Sequence, residues 1–260
     1  MYFGFKLFVD SIVFWNMSKI IFDNVCKTFD NDLQVLKGIS LEIEQGESHI
    51  ILGQSGCGKS VLMRCLLGFL NLTSGDILVD DISVKNKKQE NQYIKKFSIL
   101  FQGNALFDSM TILENVKFGL NQLKYSTKQC NEIAREKLNA VGLDDKIFDL
   151  YPAEISGGMQ KRAALARAIA IEPEILLFDE PTSGLDPITG GIICKLLKET
   201  IQKLQITTIT ITHDLKVAAF LADRISILND GVVAWSGQMS ELEHCGVPFA
   251  ENFLKASRAI

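Results

Sequence analysis

Length, composition and charge exclude several classes of protein. The 260 residues suffice for one large α/β domain or for a core with a subdomain, and the 47% hydrophobic content can fill a core. The net charge of −4 argues against nucleic acid as the main ligand, and the six cysteines show neither C-x-x-C pairs nor histidine partners at metal spacing.

The N-terminal segment 1–16 is apolar and aromatic, and Met17 precedes the first clear strand. It lacks the cleavage site of a signal peptide, and no apolar run in the sequence reaches the roughly 18 residues of a membrane span. Two interpretations stay open: an upstream extension due to the choice of start site, Met1 or Met17, or a contact with a membrane surface or partner.

The pattern along the chain predicts strands, then helices, then alternating helices and strands. The first part predicts strands at 19–29, 34–44, 48–52, 74–80 and 97–101, and a helix at 58–67. Helical spacing dominates from 111 to 170. Afterwards the pattern predicts strands at 175–179, 207–212, 224–228 and 232–235, helices at 188–204 and 214–222, and short helical pieces from 240 onward.

A phosphate-binding loop follows the strand at 48–52. Eight residues fit G-x-x-x-x-G-K-[ST]: Gly53, Gln54, Ser55, Gly56, Cys57, Gly58, Lys59 and Ser60. Glycines let successive amides face an anion, and the following helix adds its positive dipole end. Lys59 can reach the β- and γ-phosphates, and Ser60 offers a hydroxyl to Mg²⁺. We also expect a lowered thiol pKa at Cys57, because it lies beside a lysine and a helix N-terminus.

Two carboxylates end the apolar strand at 175–179, where a cation would offset their burial. Asp179 is placed to hold Mg²⁺ through water, and Glu180 to act as the general base on an attacking water. A second anion site precedes this strand, because Ser156 is typical of an N-cap and Gly157 and Gly158 leave helix amides bare. We therefore expect Ser156 and Gly158 to bind the γ-phosphate held by a second subunit.

These motifs, in this order, resemble the ATP-binding subunit of ABC transporters from about residue 20 to 237. The resemblance implies a Walker A loop at 53–60, a Walker B strand ending at Asp179 and a signature at 156–159. It further implies the roles of four residues outside those motifs: Gln102 of the Q-loop as a catalytic and metal-binding residue, Asp186 of the D-loop, His213 as the switch histidine, and Phe29 stacking on adenine. The sequence departs from the family at Ile155, at Met159 and at Val61 beside the nucleotide.

The resemblance implies an α/β fold: a P-loop NTPase core with a mixed sheet, an antiparallel β subdomain and an inserted α-helical subdomain. We assign 1–16 to an extension, 17–102 and 171–237 to the ATP-binding core, 103–170 to the helical signature subdomain and 238–260 to a helical tail. The expected enzyme is a Mg²⁺-dependent ATP hydrolase that works as a homodimer. It would be peripheral on the cytoplasmic side of the cell membrane and bound to permease subunits, in part through apolar residues near Leu106, Phe107 and Met110.

Local segments at 100–107, 156–159 and 186–189 look like the ATPase of Mla-type phospholipid transporters, whose permeases work with MCE-domain lipid-binding proteins. Phospholipid transport is therefore the expected process, with an MCE-domain protein as a further partner. An amino-acid or ion importer is the alternative. A non-transport ABC ATPase is an alternative of another class, although one cassette with a compact insertion does not favour it. A P-loop kinase or GTPase would have no use for the surface at 156–158.

Overall fold

The computed structural model describes residues 18–123, 125–248, 250–251 and 254. The N-terminal segment lies outside the described residues, as do nine residues of the C-terminal tail, at 249, 252–253 and 255–260. The interpretations of those parts stay predictions.

A six-stranded sheet forms the centre of the fold, in the order β10-β9-β3-β8-β7-β6. Neighbouring strands run parallel except for the edge strand β10, which pairs with β9 in antiparallel register. Every residue of β3 and β8 is buried, as expected for strands covered on both faces. The strands are β3 (Ser48–Leu52), β6 (Phe97–Leu100), β7 (Ile175–Asp179), β8 (Thr207–Thr212), β9 (Arg224–Asn229) and β10 (Val232–Gly237).

An antiparallel sheet of four strands lies beside this core, in the order β2-β1-β4-β5. Its strands are β1 (Ser18–Phe29), β2 (Leu33–Glu44), β4 (Ser74–Val79) and β5 (Ile82–Ser83). Apolar residues of β1, β2 and β4 share one buried cluster with helix α1 (Lys59–Leu66) and with one face of the central sheet. This packing holds the antiparallel sheet over the helix that follows the phosphate loop.

Three helices pack together between β6 and β7: α3 (Ile112–Leu120), α4 (Thr127–Ala140) and α5 (Gly157–Ala170). Each begins at a hydroxyl side chain that accepts a hydrogen bond from the first turn, namely Thr111, Ser126 and Ser156. These caps satisfy amides that have no intrahelical acceptor. The mixed sheet, the antiparallel sheet and this helical group together confirm the predicted fold class.

The remaining helices are α2 (Glu90–Ile94), α6 (Pro187–Leu204) and α7 (Leu215–Leu221), with short 3-10 turns at Asp30–Asp32, Asp145–Ile147, Pro152–Glu154 and Met239–His244. Most predicted boundaries are right to within two residues. The predicted helix at 58–67 begins one residue later, because Gly58 has a φ of 109° and serves as the N-cap. In the part of the chain that the structure describes, no helix is long and apolar enough to cross a bilayer.

Candidate nucleotide-binding site

The phosphate loop joins the end of β3 to α1, and each of its glycines has its own physical reason. Gly56 and Gly58 have φ values of 85° and 109°, in the left-handed region that favours glycine. A Cβ on Gly53 would lie 2.4 Å from the carbonyl oxygen of Leu228 in β9. The loop is therefore tightly packed at its start and free to curl at its end.

Lys59 is almost fully buried, although it is a lysine. Its Nζ donates to the carbonyl oxygens of Gly53 at 2.7 Å and Gln54 at 3.0 Å. An ammonium group has three N–H donors, so one remains for a phosphate oxygen. Lys59 thus braces the loop and can also contact its ligand.

A pocket of about 400 Å³ lies above this loop, at the carboxyl ends of β7 and β8. This edge is where open parallel sheets bind ligands. The structure brings ten predicted site residues together here: Ser55, Gly56, Gly58, Lys59, Ser60, Val61, Gln102, Asp179, Glu180 and His213. Val35 and Ile211 also line it. Neither residue is predicted from the sequence; strand alternation before His213 could have pointed to Ile211, but no local signal marks Val35.

Asp179 is the last residue of β7 and Glu180 follows it, and both residues line this pocket. Burial raises the pKa of Asp179, and the charge of Glu180 raises it further, against the opposing charges of Lys59, Arg64 and Lys161. A cation placed here would offset this cost. The hydroxyl of Ser60, the amide oxygen of Gln102 and the carboxylate of Asp179 are oxygen donors, the kind that Mg²⁺ prefers, so the residues present fit that ion.

Glu180 is held in place through both of its carboxylate oxygens. Thr212 Oγ1 donates to Oε2 at 3.2 Å, and His213 Nδ1 lies 2.8 Å from Oε1. The backbone φ of Glu180 is 48°, in a region that non-glycine residues rarely adopt and that often marks functional sites. Its amide is tied to the carbonyl of Ile211 at 2.9 Å. The carboxylate predicted to be the general base and the predicted switch histidine therefore form a direct pair.

The predicted signature residues lie outside this pocket. Ser156 caps α5 and accepts from the amide of Met159 at 3.3 Å. A Cβ on Gly158 would lie 2.7 Å from Cγ2 of Thr189, so this glycine also permits close packing against α6. Ser156 and Gly157 are exposed. No residue of the signature lines the phosphate pocket of its own chain.

The other predicted binding residues do not line this pocket. Gly53, Gln54 and Cys57 belong to the loop itself. Asp186 caps α6, accepting from the amides of Ile188 and Thr189 at 3.0 Å each, and the hydrogen bond to Thr189 lowers its pKa. Phe29 ends β1, with Lys27 Nζ 5.0 Å from its ring centroid. Lys27 thus lies over one face of the Phe29 ring, and the stacking of Phe29 on adenine stays a prediction.

The expectation of a lowered thiol pKa at Cys57 is wrong. Burial raises the pKa of Cys57, and the nearby charge of Lys59 lowers it by less. The thiol lies in the tightly packed start of the loop, since a Cβ on Gly53 would approach its Sγ to 2.7 Å. Desolvation of the thiolate therefore outweighs the electrostatic attraction.

A second concave surface, here called the aromatic groove, lies where β6 meets the helical group. Its exposed rings are Phe69, Phe101, Phe107 and Phe118, and Arg167 lies beside them. Phe107 is exposed as expected. Leu106 and Met110 are not: both are half-buried, and Leu106 packs against the core cluster. The apolar surface therefore extends toward Phe69 and Phe118, which only the fold brings together with Phe107.

Comparison with known proteins decides the family, because the model for the ABC transporter family matches residues 36–183, more than half of the chain. The chain belongs to the ABC transporter ATPase family. It is 39% identical over 216 residues to the glutamine transport ATP-binding protein GlnQ of Bacillus subtilis, covering 82% of this chain and 88% of that protein. It is 40% identical over 227 residues to the methionine import ATP-binding protein MetN of Carboxydothermus hydrogenoformans, covering 86% of this chain and 67% of that protein.

Two solved structures of other proteins have folds similar to that of this ABC ATPase. The dimeric ATP-binding cassette MJ0796, bound to ADP and Pi, gives a TM-score of 0.76 at 32% identity, covering 85% of this chain and 98% of that one. The cassette cbiO1 of Clostridium perfringens, part of the transporter complex cbiONQ, gives 0.80 at 28% identity, covering 92% and 99%. The predicted family and ATP-hydrolysing activity are confirmed. GlnQ and MetN are by name ATP-binding proteins of amino-acid transport, so they match the predicted alternative better than phospholipid transport.

Proposed function

We propose that two copies of this ABC ATPase close around two MgATP molecules and drive a membrane permease from the cytoplasmic side. The observation that carries the proposal is the pairing of Glu180 with His213 above the phosphate loop, with both Glu180 oxygens held. The exposed N-terminus of α5 lies outside the pocket of its own chain, so a second copy would supply Ser156 and Gly158 to complete each site. The dimeric state of MJ0796 supports this arrangement.

Within each site, different residues of the chain would bind the phosphates and accept the proton. Lys59 and the amides of the loop bind the phosphates, and Glu180 accepts a proton from the attacking water. His213 holds Glu180 and is exposed enough to reach the γ-phosphate. Mg²⁺, held by Ser60, Gln102 and Asp179, would neutralise charge that develops on the phosphate oxygens.

The aromatic groove is the surface we assign to the permease. The rings of Phe107 and Phe118 pack at a tilt of 48° with centroids 4.6 Å apart, and the Arg167 guanidinium lies 5.9 Å from the Phe107 centroid. A groove with exposed rings and one cation suits an amphipathic helix with apolar anchors. It adjoins Gln102, which would connect the nucleotide site to the permease contact.

For the cargo, we propose a small polar solute of the amino-acid class. This rests on GlnQ and MetN, which match this chain over more than four fifths of its length. Phospholipid transport is the second candidate. It is favoured by the segments at 100–107 and 186–189 and by Met159, and it would add an MCE-domain partner, a partner that none of the relatives reported above names.

The test is purification of the tagged chain with its native permease, followed by reconstitution into vesicles. We expect ATP-driven uptake of a labelled amino acid and its loss in Glu180→Gln. Transfer of a fluorescent phospholipid without amino-acid uptake would reverse the choice of cargo. If Phe107→Ala and Phe118→Ala together keep ATP binding and still retain the permease, the assignment of the groove is wrong.

A further inference from the structure

Lys161 is a buried cation that the catalytic assignment does not use. It lies in α5 with 2% of its surface exposed, and burial lowers its pKa while the charge of Asp179 opposes that shift. Its Nζ donates to the carbonyl oxygen of Gln102 at 2.7 Å and of Phe101 at 3.4 Å. Burying a charge costs free energy, so the groups that Lys161 contacts indicate which part of the fold it stabilises.

Other side chains of α5 hold the same loop segment, Phe101 to Ala105. Arg167 donates to the carbonyls of Ala105 at 2.6 Å and Asn104 at 3.0 Å, and Gln160 accepts from the Asn104 side chain at 3.3 Å. Asn104 and Ala105 have φ values of 61° and 50°, in the left-handed region that alanine rarely adopts. Such a conformation persists where surrounding contacts over-determine it. The backbone of this segment therefore belongs to the helical group rather than to the central sheet.

The side chain of Gln102 points the other way, into the nucleotide site. It lines the phosphate pocket with Ser60 and Asp179, and its Nε2 donates to Ser183 Oγ at 3.1 Å. The helix that holds its backbone is the one that Ser156 caps. Lys161 lies five residues beyond Ser156, about 7.5 Å along the helix axis.

We propose that Lys161 is a positioning residue that ties Gln102 of one nucleotide site to Ser156, the residue offered to the other. By holding the Gln102 backbone on α5, it makes the two residues move as one unit. This rests on the proposed function, in which Gln102 contacts the metal and Ser156 acts in the partner's site. It places the joint between the ATP-binding core and the helical group before Phe101, rather than between residues 102 and 103, where the predicted domain boundary lies.

The experiment is a double-mutant cycle on the full chain, read as the Mg²⁺ concentration for half-maximal ATPase activity and as kcat. Lys161→Met should raise that concentration about 10-fold, the effect typical of lost support around a metal ligand. Lys161→Arg should restore most of it, because a guanidinium can donate to both carbonyls. In a Gln102→Ala background, which keeps the backbone carbonyl, Lys161→Met should change little further.

Arg162→Met is the matched control, since Arg162 is the next residue of α5 and donates to a backbone carbonyl too, that of Gly142 at 2.7 Å. It should leave the Mg²⁺ dependence unchanged. The proposal would be overturned if Lys161→Met shifted the Mg²⁺ concentration for half-maximal activity equally with and without the Gln102 side chain. The same shift in Arg162→Met would also overturn it. If Lys161→Met does not fold, as judged by urea unfolding, Lys161→Gln takes its place and should give a smaller shift of the same kind. No effect of Gln102→Ala alone would refute both the metal role of Gln102 and the proposal, whereas an effect of Gln102→Ala with additive costs refutes the proposal alone.

Discussion

At the scale of single residues, the pair Glu180–His213 carries the proposed proton transfer from the attacking water. Glu180→Gln keeps the size of the side chain but removes the proposed proton acceptor. We expect ATP binding to persist, the hydrolysis rate to fall about 100-fold or more, and an ATP-bound dimer to appear in size-exclusion chromatography. Glu199→Gln, an exposed change on α6, is the control. Hydrolysis at the wild-type rate would show that Glu180 is not the base.

Cys57 gives a second prediction at this scale. Because burial raises its pKa, the thiol should stay protonated at neutral pH, and the thiolate is the reactive form. Alkylation of Cys57 by a maleimide should be slower than that of a small free thiol and should accelerate as the pH rises. Mass spectrometry after brief labelling measures this, with Cys57→Ser to identify the modified peptide. Faster labelling than the free thiol at neutral pH would contradict the burial argument.

At the scale of secondary-structure elements, the start of α3 depends on a capping box. Thr111 accepts from the amide of Glu114 at 3.2 Å, and the Glu114 side chain accepts from the amide of Thr111 at 2.8 Å. Thr111→Ala should lower the free energy of unfolding by about 1 kcal/mol, measured in urea. Thr111→Ser keeps the hydroxyl and should restore most of it. An unchanged unfolding midpoint in Thr111→Ala would mean that the cap contributes nothing.

A buried pair, Glu47 with His49, lies at the start of the central strand β3: Glu47 directly precedes the strand, and His49 belongs to it. His49 is fully buried with both ring nitrogens bonded, at 2.7 Å to Glu47 and 2.9 Å to Ser226. Burial acts to raise the pKa of Glu47, but the hydrogen bonds from His49 and from the amide of Glu44 outweigh it and leave the pKa below its ordinary value of 4.5.

This lowered pKa predicts a dependence of stability on pH. The unfolded chain takes up the Glu47 proton at a higher pH than the folded chain, so acidification favours unfolding. The stabilisation is present above the ordinary pKa and is lost as the pH falls through the folded value. Between about pH 5 and pH 3, the free energy of unfolding should fall more steeply for the wild type than for Glu47→Gln, measured in urea. Equal slopes would refute the prediction, and Glu199→Gln again serves as the control.

At the scale of the whole molecule, the proposed dimer places the signature of one chain over the phosphate loop of the other. A heterodimer of Lys59→Ala and Ser156→Arg chains would then collect both defects in one site and leave the second intact. We expect partial ATPase activity from the mixture and none from either variant alone. Bound nucleotide per heterodimer should be measured in parallel. An inactive heterodimer with one occupied site would indicate strict coupling, and equal occupancy of both sites would contradict the trans arrangement.

The sequence by itself determined much of this protein, because the phosphate loop, the two carboxylates and the helix caps depend on residues that are neighbours in the chain. Glycine spacing fixes the curl of the loop, and a buried strand ending in Asp179 points to a cation. The order of these motifs was enough to predict the family and the fold class. The predicted strand and helix boundaries erred by only a residue or two, since capping and turn residues set them locally.

Only the tertiary structure decided which distant residues meet. Val35 enters the pocket from the antiparallel sheet, and Lys161 reaches the backbone of Gln102 across some sixty positions of the chain. The raised pKa of Cys57 is also a tertiary result: its neighbours in sequence predict a lowered pKa, and burial of the thiol reverses the sign. Desolvation and packing depend on everything that surrounds a group, whereas sequence spacing reports only its neighbours along the chain.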